Sequence, residues 1–136
     1  MVTIFAAVKP LPGIYEAGWI LNDYNGALQQ AKQENKLVFV DFTGYTCTNC
    51  RWMEANMFPR PEVAKEMHKF VRVRLYTDGV GEVFERQQEM QQEKFGTVAL
   101  PYYALLRADG SAVSVFPGLT RNANEFVAFL QKGLRR

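Results

Sequence analysis

The chain has 136 residues, 48% hydrophobic and 22% charged, which suits one globular domain with a core of its own. A net charge of +2 from 16 basic and 14 acidic residues, with no basic stripe interleaved with aromatics, argues against a nucleic-acid surface. Two cysteines can close at most one internal disulfide, which excludes a cross-linked secreted scaffold.

The first stretch, MVTIFAAVKPLPG, has an apolar run that stops at Lys9 and meets Pro10 and Pro12. It lacks a basic leading region and is too short for a signal peptide or a membrane span. The chain is therefore expected to be cytosolic or a soluble piece of something larger. Residues 1–18 read as an extended lead-in, because Pro10, Pro12, Gly13 and Gly18 interrupt any helix. Residues 19–136 read as the folded domain.

Tyr24, Ala27, Leu28 and Ala31 recur at helical spacing, with Asn22 or Asp23 as the cap. A strand follows over residues 37–42, apolar enough at Leu37–Val40 to be buried on both faces. A helix should begin near Cys47, weaken around Pro59 and Pro61, and continue in PEVAKEMHKF with Val63, Met67 and Phe70 inward. Residues 71–76 alternate Val71, Val73 and Leu75 with Arg72 and Arg74, a strand pattern ending in a turn, with Arg74 expected to be exposed. The next helix, GEVFERQQEMQQEKF, has a thin apolar stripe (Val83, Phe84, Met90, Phe95), and its glutamines are expected to face water. PYYALLRADGSAVSVF reads as a hairpin around Ala108-Asp109-Gly110. A last helix, capped between Thr120 and Asn124, should turn Phe126, Phe129, Leu130 and Leu134 inward. The strands at 37–42 and 71–76, joined by a helical crossover, are expected to be parallel. The hairpin adds an antiparallel pair, giving an α/β chain whose central mixed sheet has helices on both faces.

Both cysteines fall in DFTGYTCTNCRWMEANMF, after a strand and at a helix start. Three readings are open there. A zinc site needs four ligands, and beyond the two thiols the chain offers a single histidine, His68. A structural disulfide would close a loop of two residues and constrain little of the unfolded chain. A working dithiol uses the unpaired amides and positive dipole end of the helix to hold Cys47 as thiolate, with Cys50 one turn on to resolve the mixed disulfide. Arg51 adds a positive charge, expected to project to solvent. Asp41, flanked by Val40 and Phe42, should have a raised pKa if buried, which suits a proton acceptor near neutrality. Trp52 and the methionines Met53, Met57, Met67 and Met90 read as packing, and His68 as a surface or boundary residue.

LVFVDFTGYTCTNC followed by VALPYY resembles the thioredoxin fold family over residues 19–134. Within that family, DFTGYTCTNCRWMEANMF is most similar to the C-terminal periplasmic domain of the thiol:disulfide interchange protein DsbD. The resemblance implies a thioredoxin-like fold in which Cys47 is the exposed nucleophile and Cys50 the buried resolver. It makes Asp41 the buried acid that takes the Cys50 proton, and Glu54 a second acid near the dithiol. Pro101 becomes a cis-proline opposite the sulfurs, leaving the Leu100 backbone to pair with substrate. Thr46, Thr48 and Asn49 would line the approach to Cys47. Arg74 falls where thioredoxins often keep a lysine near the buried acid. The chain departs from the pattern at Thr46, where tryptophan is usual, and at Thr48-Asn49, where thioredoxin has Gly-Pro.

The function this implies is a thiol:disulfide oxidoreductase working as a reductase, with no organic cofactor because the electrons travel on sulfur. Its partners would be disulfide-containing proteins and a membrane-embedded or soluble thiol donor, and the domain would be monomeric. The expected location is periplasmic, as a soluble domain of a membrane-bound protein, or alternatively cytoplasmic. The stretch from Cys50 to Pro101 is too short for the helical insertion of DsbA-type oxidases. Rival readings are a general cytosolic thioredoxin and a module that holds peptides beside Leu100–Pro101.

Overall fold

The computed structural model describes Tyr15, Glu16 and residues 18–135. Most of the expected lead-in, 1–18, lies outside the described residues. Its described part includes β1 (Tyr15–Glu16), antiparallel to β2 (Trp19–Leu21). Sequence reading placed no strand here, since two- and three-residue strands are too short to show a period.

The elements that follow are α1 (Tyr24–Glu34), β3 (Val38–Thr43), α2 (Thr48–Trp52), α3 (Pro61–Met67) and β4 (Val71–Tyr76). The chain ends with α4 (Glu82–Phe95), β5 (Tyr102–Leu106), β6 (Ala112–Pro117) and α5 (Ala123–Leu134). Among the described residues the strands form one mixed sheet, ordered β1-β2-β4-β3-β5-β6. The strand pairs β2/β4 and β3/β4 are parallel, while β3/β5 and β5/β6 are antiparallel. The result is an α/β sheet with helices on both faces, as the patterning implied, in the thioredoxin-like arrangement that the resemblance implied.

Alternation along the central strands sorts the two cores. Val38, Val40 and Phe42 of β3, with Val71, Val73 and Leu75 of β4, pack on one face with Ala27 and Ala31 of α1 and with Met90 and Phe95 of α4. The opposite face carries Phe39, whose ring lies 5.7–6.5 Å from those of Trp19, Phe58, Phe70, Tyr103, Phe126 and Phe129. Helices α3 and α5 cover this face through Val63, Met67, Phe126 and Leu130. Leu134, expected inward, is substantially exposed where α5 ends.

Caps set several boundaries. Asp23 accepts the Gly26 amide at 2.9 Å to start α1, and Asn122 accepts from Glu125 to start α5. Asn22 instead adopts φ 55° and receives the Tyr76 amide. Pro61 occupies the first turn of α3, where its missing N–H costs nothing. Between α2 and α3 the helix widens into a π turn, Met53–Met57, in which the Phe58 amide donates to the Met53 carbonyl. Met53 and Met57 are both fully buried there.

Helix α4 corrects the sequence reading. Gln87 and Gln91 are buried, not solvated, because each replaces a missing backbone partner. Gln87 Nε2 donates to Tyr76 O and Asn22 Oδ1, and Gln91 Nε2 donates to Ala99 O at 2.9 Å. The helix thus pins both the end of β4 and the segment leading to Pro101. Among the described residues no helix is long and apolar enough to cross a membrane.

Candidate active site

Strands β3 and β4 run parallel and end together, so the loops beyond their carboxyl ends are neighbours. The loop after β3 carries Gly44, Tyr45, Thr46 and Cys47. Cys47 is the N-cap of α2, with extended backbone (φ −85°, ψ 106°), and its Sγ accepts the Cys50 amide at 3.1 Å. An acceptor at this position satisfies one of the orphan amides of the first turn. Cys47 and Cys50 form a disulfide. Cys47 is half-buried, Cys50 fully buried, and Thr46, Thr48 and Asn49 are exposed around them.

Beneath the dithiol segment, a row of side chains crosses the sheet on the α2 face. Asp41 of β3 pairs in register with Arg74 of β4 on one side and Tyr103 of β5 on the other. Asp41 is 1% exposed; its Oδ2 accepts from Arg74 Nε at 3.3 Å, while Oδ1 is buried without a partner. Burial chiefly, and the nearby Glu54 charge, push the Asp41 carboxyl up to about 7, against the opposing pull of Arg74 and Arg51. Burial likewise pushes the Tyr103 hydroxyl up.

Arg74 is 7% exposed, and its guanidinium lies 4.2 Å from the centre of the Trp19 ring. Arg74 does not mark a wet face; it lies among Trp19 of β2, Asp41 of β3 and Glu54 of the helical layer above. Arg51 also departs from expectation. Its side chain, though still 41% exposed, folds back over the loop, with Nε and Nη2 gripping both oxygens of Glu54 at 2.9 and 2.8 Å. Nη1 donates to the carbonyls of Gly44 and Tyr45, and Nη2 also to Thr43 Oγ1. Glu54 lies 4.0 Å from Arg74, so Arg51, Glu54, Arg74 and Asp41 form one chain of alternating charge from loop to sheet. Glu54 is thus a partnered acid, not a solvated one.

A residue that sequence reasoning missed holds the same loop from the other side. Asp78, just past β4, accepts the Tyr45 amide at 2.7 Å, and its second oxygen takes the Thr46 amide and hydroxyl at 3.2 and 3.1 Å. Despite partial desolvation, these bonds hold its carboxyl below the usual range. Gly44 makes room for this: a Cβ there would lie 2.7 Å from Asp78 Oδ2 and 3.0 Å from Leu100 Cδ1. The available signal was topological, since parallel neighbours place residues 44–46 beside 77–78.

Leu100, half-buried, therefore packs near the dithiol loop, and the Leu100–Pro101 peptide bond is cis. The Pro101 carbonyl accepts the Gly118 amide at 2.9 Å. Trp52 is half-buried against the core with Arg121 Cζ 4.7 Å above its ring, and His68 is exposed. Among the described residues no three His, Cys, Asp or Glu side chains converge as metal ligands.

Comparison with known proteins agrees with this architecture. Among curated proteins no sequence matches the chain significantly. A thioredoxin from Thermus thermophilus superposes with a TM-score of 0.68 at 22% identity, covering 84% of each chain. The C-terminal domain of Neisseria meningitidis DsbD in its oxidised form gives a TM-score of 0.61 at 24% identity, covering 79% of this chain and 90% of that one. A DsbH oxidoreductase gives 0.70 at 17% identity, covering 96% and 94%. At such identities the likeness establishes the fold. The model of the thioredoxin-like domain matches residues 24–134, from the start of α1 to the end of α5, and the chain belongs to that family.

Proposed function

We propose that the protein is a thiol:disulfide oxidoreductase acting as a reductase through Cys47 and Cys50. The observation that carries this reading is the Cys47–Cys50 disulfide itself, one sulfur accessible at a helix start and the other buried behind it. In the reduced protein the Cys47 thiolate attacks one sulfur of a partner disulfide. The partner's S–S bond breaks, its other sulfur leaves as thiolate, and a mixed disulfide to Cys47 remains. Cys50 then gives its proton to Asp41 and attacks the Cys47 sulfur, releasing the partner's second thiolate and restoring the Cys47–Cys50 disulfide. Two electrons pass to the partner, and a dithiol donor must return them.

Asp41 suits the proton step because its pKa near 7 lets it bind and release a proton at neutral pH. Glu54 tunes that acid. Thr46, Thr48, Asn49, Leu100 and Pro101 flank the sulfurs and serve as the contact surface for the partner segment. The resemblance of the dithiol segment to DsbD supports a periplasmic setting and a membrane-embedded donor.

Reduction of insulin by dithiothreitol tests the reading. The wild-type protein should accelerate it, Cys47→Ser should not, and Cys50→Ser should accumulate a covalent mixed disulfide. Equal behaviour of wild type and Cys47→Ser would favour non-covalent peptide binding. A glutathione titration gives the direction: a potential near −270 mV fits a reductase, whereas one near −120 mV overturns it (values on the order of those for thioredoxin and DsbA).

A further inference from the structure

Beside the sulfurs the protein displays aromatic surface that neither core uses. Tyr45, two residues before Cys47, is 51% exposed, and its ring stacks on Tyr76 with centroids 4.0 Å apart and planes 14° apart. Phe84 closes the other side edge-on at 5.8 Å. Its ring folds over Gly79, where any Cβ would lie within 2.8 Å of several ring atoms. In the same loop Val80 is 99% exposed, and Val83 follows at 52%. Tyr45, Val80 and Val83 thus leave apolar surface in water on and next to the two loops that Asp78 ties together.

The platform is also rigid. Asp78 holds the Tyr45 and Thr46 amides, and Arg51 holds the Tyr45 carbonyl from the opposite side. Fixing the rings in advance lowers the ordering cost of a bound side chain. Tyr45 and Cys47 share one short loop, which puts these rings within reach of a segment whose disulfide is presented to Cys47.

We infer that the Tyr45–Tyr76–Phe84 platform, with Val80 at its rim, is the specificity surface for disulfide partners. Its occupant is an extended segment of the partner carrying an aromatic or large aliphatic residue about two or three residues from the reactive cysteine, the reach set by strand rise. This rests on the exchange reading above. The exchange chemistry is unchanged; the platform selects which disulfide is presented to Cys47.

The test compares rates of reduction by the reduced protein for three disulfides. One is bis(2-hydroxyethyl) disulfide, and the others are two internally bridged peptides differing only in Phe or Ser two residues from a cysteine. Wild type should prefer the Phe peptide by roughly tenfold, the scale expected for burying one large apolar side chain. The preference should fall to about two- or threefold in Tyr45→Ser and drop partly in Val80→Ser, whose open position leaves folding intact. Active wild type that reduces both peptides equally overturns the platform alone. A preference unchanged in both variants overturns it as well. A protein inert toward all three, the small disulfide included, overturns the exchange reading and the platform with it.

Discussion

Asp41 and Arg74 face each other in register on adjacent parallel strands, yet only one of the two carboxylate oxygens has a partner. The single bond from Arg74 offsets burial only in part, so the carboxyl titrates near 7 and can take up or give up a proton there.

That poise gives stability a pH dependence. The folded-state pKa of about 7 lies above the ordinary 3.8 of the unfolded chain, so the native protein binds the extra proton between those values. The contribution is complete below about pH 4 and is lost as pH rises through 7, on the order of 4 kcal/mol in all. Asp41→Asn should remove this fall. Urea unfolding of the oxidised proteins at pH 4.5 and 8 measures it, and an equally steep fall in the variant would contradict the assignment.

Arg74 opposes burial at Asp41, so Arg74→Met should move the Asp41 titration further upward from about 7. Carboxyl carbon shifts followed by NMR report the midpoint. A downward move would mean that another cation governs the acid.

Arg51 joins Glu54 to the loop backbone. Arg51→Met should cost about 1–2 kcal/mol by freeing the Gly44 and Tyr45 carbonyls, with partial exposure limiting the effect. Because the same guanidinium serves both, Arg51→Met with Glu54→Gln should cost less than the sum of the single changes. Additive costs from denaturant curves would break the network apart.

Asp78→Ala should destabilise by about 1 kcal/mol and speed hydrogen exchange at the Tyr45 and Thr46 amides. Gly44→Ala should reproduce the effect, since the new methyl would lie only 2.7 Å from Asp78 Oδ2 and 3.0 Å from Leu100 Cδ1 and push both aside. Unaltered protection of those two amides in either variant would remove Asp78 from its role.

The dithiol and its two parallel strands were legible because scarce residue types and strong periodicity marked them. Arg74 was not. Apolar 71, 73 and 75 against charged 72 and 74 is the pattern of a strand with one wet face, and equally of one whose second face lies under helices bearing carboxylates. Gln87 and Gln91 misled for the same reason: a glutamine's burial depends on backbone carbonyls elsewhere in the chain. Asp78 stood beyond local reading, its partners being 32 and 33 residues away. The acid one helical turn after Cys50, Glu54, was visible, but the reach of its partner Arg51 to the Gly44 and Tyr45 carbonyls needed the loop to curl back.

The widened turn at Met53–Met57 has a consequence for evolution by insertion and deletion. It holds one residue more per turn than the helix before it, and each residue rotates an ordinary helix by about 100°. Regular winding with every residue kept would swing Phe58 away from Trp19 and Phe39, whereas excising Ala55 would restore the ordinary helix with Phe58 still in phase. A single supernumerary residue is thus taken up inside the turn, so that one coil can present sulfur at its tip and an aromatic plug at its base.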